Sequence, residues 1–244
     1  MMSAVLVKDD TKIKRIVAFG DSFVSGYVEK GDNESATFVE LLGHKLKVKT
    51  INRGWKGHSD FSISYDIFNF FRDHPDLIEG SLFLISFSGW RRGYKIMESE
   101  MDVSDFAMFG GVRDDLKYSA EMGLPMVHRH QVELSQNALV TLFESNNVPF
   151  LFTNSFQDLK KVEYSFELPF EYYVEGDKKN NTLLDILKGT WLKGDDDAIK
   201  RNSPRNSFQV KKKWGSMTHD CGHPTKKGHE RIAKTLKPYI ECII

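Results

Sequence analysis

The chain has 244 residues, enough to bury one sizeable core or a core with insertions. Its 34 basic and 34 acidic side chains cancel to a formal net charge of zero, which excludes the basic excess that draws a protein to nucleic acid or an anionic membrane. Two cysteines, Cys221 and Cys242, set no disulfide framework, so a reducing compartment is expected. The opening stretch MMSAVLVKDDTK is apolar for only a few residues, too short for a signal sequence or a bilayer span. A cytoplasmic protein without a membrane segment is therefore expected.

Ile16 to Phe19 read as a short buried strand, with Lys and Arg before it and Gly20-Asp21-Ser22 after it. SATFVELLGHKLK sets Phe38, Leu41, Leu42 and Leu46 on one helical face, with Ser35 as N-cap. VKTINRG reads as a second strand ending at Gly54. SDFSISYDIFNFFRDHPD repeats apolar residues at Phe61, Ile63, Ile67, Phe70 and Phe71, a helix that stops before Pro75. Ser81 to Phe87 is near-continuously apolar, as a strand covered on both faces should be. A helix over Val132 to Ser145 leads into a fourth strand ending at Asn154. A last helix starts after Pro224, a residue suited to the first helical position, and turns Ile232, Ala233, Leu236 and Ile240 inward.

This alternation predicts an α/β fold, a three-layer α/β/α sandwich with a mostly parallel central sheet. Ligands in such sheets bind at the carboxyl ends of the strands, where Ser22, Gly54 to Gly57 and Ser86 to Trp90 gather. Trp90 to His130 and Gln157 to His219 break the alternation. Long inserts at this end of a sheet commonly serve as lids or partner surfaces. The expectation is one domain over residues 1–244, with lid or insert segments at 90–130 and 157–219. Within them VKKKW and KRNSPR read as solvated surface beside GDDD, not as a nucleic-acid site. The aromatics of FELPFEYYVE suit a lid core or the wall of a sugar or acyl pocket.

Asp220 and His223 stand three apart in a turn just before the last helix. That spacing lets the carboxylate hold Nδ1 of the imidazole while Nε2 faces away, as a Ser-His-Asp triad requires. Gly20-Asp21-Ser22 alone reads equally well as a strand-to-helix turn. A serine corner followed by Asp-x-x-His in the right chain order points instead to a nucleophile and its base. His219, Cys221, His223 and His229 are all metal-ligand types, but their spacing fits no standard zinc pattern, so no metal and no cofactor are expected. Nothing marks Cys221 as an activated thiol.

In these motifs the chain resembles the SGNH, or GDSL-type, hydrolases over nearly its whole length. Gly20-Asp21-Ser22 is similar to the nucleophile block, which makes Ser22 the nucleophile and Asp21 its support. NRGWKG matches the second block, in which an Asn, here Asn52, precedes an oxyanion-hole Gly, here Gly57, by five residues. DCGHP matches the block that assigns Asp220 and His223, and KKGHERIAKTL looks like the family's last helix. The third block departs from the pattern. Where the family usually carries Gly-x-Asn, this chain has Ser86-Phe87-Ser88, so the hydroxyl of Ser88 stands in for the amide, as in divergent members, several of them phage-borne. Loss of one oxyanion donor typically costs about 10²–10³ in turnover. No Gly-x-Ser-x-Gly elbow is present, which argues against a lipase-type α/β-hydrolase.

The resemblance implies a flavodoxin-like fold and a serine esterase, with the oxyanion met by the N–H groups of Ser22 and Gly57 and by Ser88. The implied substrate is an O-acylated carbohydrate or another small ester. Arg91 and Arg92 face an anionic group of it or form a solvated pair. The alternative is a catalytically weak module kept for binding or structure, as in a phage particle or host-interaction complex, assembling through the inserts. The altered third block and the inserts favour the module. The intact Ser22, Asp220 and His223 favour the esterase, because buried polar groups cost stability unless paired.

Overall fold

The computed structural model describes residues 12–27, 36–88, 92–94, 106–108, 124–155, 182–188, 217 and 223–244. The first half of the chain supplies β1 (Arg15–Gly20), α1 (Ser22–Ser25), α2 (Phe38–Leu46), β2 (Lys49–Gly54), α3 (Asp60–Asp73) and β3 (Ser81–Phe87). There follow β4 (Arg92–Tyr94), β5 (Phe106–Met108), α4 (Leu124–Ser145), β6 (Phe150–Asn154), α5 (Leu183–Lys188) and α6 (Lys226–Glu241). Strands β2, β1, β3 and β6 lie side by side in that order, each neighbouring pair parallel. β4 and β5 pair antiparallel as a separate ribbon. Gly20 lies level with Gly54 on one side and Ser86 on the other, so three carboxyl ends finish together.

Alternate residues of each strand serve opposite faces, as the period of two demands. Ile16, Ala18, Leu82, Leu84 and Leu151 pack with α2, α5 and α6 through Phe38, Leu42, Leu183, Ile232 and Leu236. On the other face Val17, Phe19, Phe83, Ile85, Phe87 and Phe152 pack with Ile63, Ile67 and Phe70 of α3 and Leu139 and Phe143 of α4. This second face is rich in phenylalanine; Phe19 meets Phe70 edge to face with ring centroids 5.5 Å apart. Such pairs contribute about 0.5–1.5 kcal/mol beyond the area they bury. The result is the three-layer α/β/α sandwich with a parallel central sheet that the sequence predicts.

Local details differ from the sequence reading. Ser35 lies outside the described residues, and the cap of α2 is Thr37, whose side chain accepts from Val39 N and which forms a capping box with Glu40. Thr37 has a Glu at the third helical position; Ser35 has Phe38 there. α6 starts after Pro224 as read, but Pro224 lies ahead of the cap and not at the first helical position: Thr225 caps the helix by accepting from Gly228 N at 3.3 Å, because a hydroxyl offers the acceptor that the first turn needs. Phe61 is 41% exposed: the inward face of α3 runs through Ile63, Ile67 and Phe70, and Phe61 falls outside that stripe. α4 begins at Leu124, inside the first expected insert. α5 lies inside the second, with Leu183 and Leu187 in the core and Thr182 bridging Asn154 in parallel. Among the described residues no helix is long and apolar enough to cross a membrane.

Candidate active site

Ser22 is the first residue of α1, a single turn directly after β1. Asp21 caps that turn, its Oδ1 accepting from Phe23 N at 2.9 Å. The backbone of α1 crosses the end of β2 so closely that a Cβ on Gly54 would meet Ser25 N and stand 2.7 Å from the Val24 carbonyl carbon. Only glycine fits there. Trp55 N donates to Gly20 O at 3.0 Å, fastening the following turn to the strand that delivers Ser22. In that turn Gly57 has φ 84°, the left-handed region that glycine occupies without strain. Ser22 and Gly57 therefore stand on two adjoining turns locked to the ends of β1 and β2.

Beneath them lies a buried polar network. Asp21 is fully buried and accepts from Ser155 Oγ at 2.9 Å through Oδ1 and from Ser88 Oγ at 3.0 Å through Oδ2. Ser155 Oγ lies 2.8 Å from Ser86 Oγ. Ser88 also donates its N–H to Asp60 Oδ1 and brings its hydroxyl to the His58 carbonyl, both at 2.6 Å. A buried carboxylate needs such donors, and bonds to a charged acceptor are the stronger kind. The hydroxyl of Ser88, expected from the sequence to face an oxyanion, instead turns its single proton toward these inner acceptors. Ser155 and Asp60 carry no sequence motif; the available signal was a hydroxyl residue at the end of a strand, as at Ser22 and Ser88.

Asn52 joins the end of β2 to its neighbours. Its Nδ2 lies 2.8 Å from Val24 O, 3.1 Å from Thr37 Oγ1 and 3.2 Å from Glu40 Oε1, and its Oδ1 accepts from Gly54 N at 2.9 Å.

His223 arrives from the far end of the chain and sets its ring beside α1. The centroids lie 6.0 Å from Phe23 and 5.5 Å from Tyr27, the latter edge to face. Tyr27 is held in turn by Lys56, whose Nζ donates to its hydroxyl at 2.9 Å and sits 4.3 Å from its ring centroid. Among the described residues no hydrogen bond joins Ser22 Oγ to His223. Asp220, Arg91, His219 and Cys221 lie outside the described residues, and Arg92 opens β4.

Two further histidines have clear surroundings. His58, beside Gly57, is pushed below its ordinary pKa by burial, against the pull of Asp66 and Asp21. Its Nδ1 is buried without a hydrogen-bond partner among the described residues, and its ring stands 6.5 Å from Trp55, which is 58% exposed. His229, fully buried on α6, accepts from Phe38 N through Nδ1 at 3.2 Å and stacks on the Phe38 ring. Among the described residues no three His, Cys, Asp or Glu side chains gather to hold a metal ion.

Ser22 thus stands at the carboxyl end of a parallel sheet, and the ring of His223 lies against Phe23 and Tyr27 of the same segment. No family model and no curated protein matches the chain. Among solved structures it is similar to a protein placed in the G-D-S-L lipolytic family from Desulfitobacterium hafniense, at 15% identity over 92% of this chain and 98% of that one, with TM-score 0.45. It is similar also to a psychrotrophic esterase from Pseudoalteromonas sp., at 14% identity over 94% and 97%, with TM-score 0.49. A third is a carbohydrate esterase family 2 enzyme with a carbohydrate-binding domain from Corynascus thermopiles, at 14% identity over 97% and 68%, with TM-score 0.45. The likeness to these GDSL-type and esterase structures is one of overall chain course, and what the site does is read from this chain's own residues.

Proposed function

We propose that the protein is a serine acyl hydrolase in which Ser22 attacks the carbonyl carbon of an ester and His223 takes its proton. One observation carries this reading: the ring of His223 lies against Phe23, inside the single turn that begins with Ser22, and against Tyr27, just past it. Asp220, three residues before His223, holds Nδ1 and stabilises the imidazolium formed during the reaction. The oxyanion of the tetrahedral intermediate is met by the backbone N–H groups of Ser22 and Gly57. Their support is preorganisation, since both turns are tied to strand ends before substrate arrives. The leaving alcohol takes the proton back from His223, and water repeats the sequence to free the acid and restore Ser22.

The substrate class is an O-acyl group on a carbohydrate or another small ester, with Arg91 and Arg92 as the proposed partners of an anionic substituent on it. Labelling with a fluorophosphonate tests the reading. The probe forms a bond from Ser22 Oγ to phosphorus and expels fluoride, so wild type labels and Ser22→Ala does not. Wild-type protein that stays unlabelled points to the alternative, a binding or structural module on the same fold.

A further inference from the structure

Ser88 follows β3 and is 3% exposed. Its N–H is fixed to Asp60 at the first position of α3, and its hydroxyl lies 3.0 Å from Asp21 Oδ2 and 2.6 Å from the His58 carbonyl oxygen. Both hydroxyl contacts are acceptors, and a hydroxyl has one proton to offer. Asp21 caps the turn that carries Ser22. His58 closes the turn that carries Gly57, through its N–H to the Trp55 carbonyl at 3.3 Å. One buried side chain thus bonds to both turns, and among the described residues it makes no hydrogen bond to Ser22 or to the Gly57 N–H.

We infer that Ser88 is a positioning residue, a clasp that holds the Ser22 turn and the Gly57 turn at a fixed separation, and not a third donor to the oxyanion. Asp21 is already anchored to the end of β6 through Ser155, so the clasp transmits the position of a rigid frame. The Gly57 N–H lies only one residue before the carbonyl that Ser88 grips. Donor placement of this kind matters because a misplacement of about 1 Å can cost on the order of 10²-fold in rate. What the two turns do rests on the proposed hydrolase reading; that Ser88 joins them does not.

Hydrogen exchange on the full chain, followed peptide by peptide, tests the clasp. In Ser88→Ala the segments 21–27 and 55–60 exchange faster together, by about tenfold or more, as a lost bond to a charged group implies. Ser88→Thr keeps the hydroxyl and restores protection in both. Wild-type exchange in either segment of Ser88→Ala overturns the clasp. A second arm measures the rate of fluorophosphonate labelling at Ser22. Ser88→Ala and Asp21→Asn each slow it about 10- to 100-fold, and the double variant is no slower than the slower single. Reductions that multiply, or faster labelling in Ser88→Asn, mean that position 88 meets the reacting oxygen itself and overturn the inference. If wild type does not label, the hydrolase reading falls while the exchange result still decides the clasp.

Discussion

Asn52 Nδ2 donates to the Val24 carbonyl at 2.8 Å, joining the end of β2 to the turn that begins with Ser22. The same amide reaches Thr37 and Glu40, the two members of the capping box that opens α2. Removing it leaves the Val24 carbonyl and the Gly54 N–H without this partner. Asn52→Ala is therefore expected to cost about 1–3 kcal/mol. Urea unfolding read by tryptophan fluorescence checks it, and an unchanged midpoint would show that the amide contributes nothing. Asn52→Asp keeps the acceptor for Gly54 but sets a carboxylate against Glu40, so it is expected to recover none of the loss.

Gly54→Ala presses a methyl group into the backbone of α1 at Ser25 and Val24. Overpacking of this kind costs about 1–3 kcal/mol. Because the displaced element carries Ser22, labelling at that serine should slow as well as the melting temperature fall. A variant that melts lower but labels at the wild-type rate would place the strain elsewhere than α1.

The sign of the pH effect at His58 follows from its lowered pKa. Burial holds the folded imidazole below the ordinary value of 6.5, so the unfolded chain takes up the proton first as pH falls. Its contribution is complete above that ordinary value and declines below it, until the folded imidazole itself titrates. Urea midpoints at about pH 7.5 and about pH 5.5, compared for wild type and His58→Gln, give the difference. The wild type should lose more on acidification; a pH-independent gap between the two proteins would sink the assignment.

Tyr27 forms an edge against the ring of His223, and Lys56 anchors its hydroxyl. Tyr27→Phe keeps the edge and loses the anchor, while Tyr27→Ala loses both. Labelling at Ser22 should slow by about tenfold in Tyr27→Ala and by less in Tyr27→Phe. Three equal rates would mean that this wall does not set the position of the imidazole.

The sheet was legible because three of its four strands are short apolar runs, Ser81 to Phe87 above all, and both faces of that run are buried. The corner at Ser22, where β1 gives way directly to α1, was legible from its small residues. The network around Asp21 was not. Its bonds to Ser88 and Ser155 span 67 and 134 residues, and no local pattern records a contact made across three strands. α5 escaped notice because a helix of six residues is too short to show a period. Phe61 misled for the opposite reason: its side chain type suits a core, but its place on the helix does not.

The hydrogen bond from Phe38 N to His229 Nδ1 joins residues 191 apart in sequence. His223 stands just ahead of α6, so the docking of that helix delivers two imidazoles at once, one to brace the opening of α2 and one to lie against Phe23 and Tyr27. Contacts of such long range close late, because the entropy of a large loop must be overcome first. On the proposed hydrolase reading, Ser22 lacks its base until then. On that reading the chemistry proposed for Ser22 is timed by folding, because its base comes with the last helix.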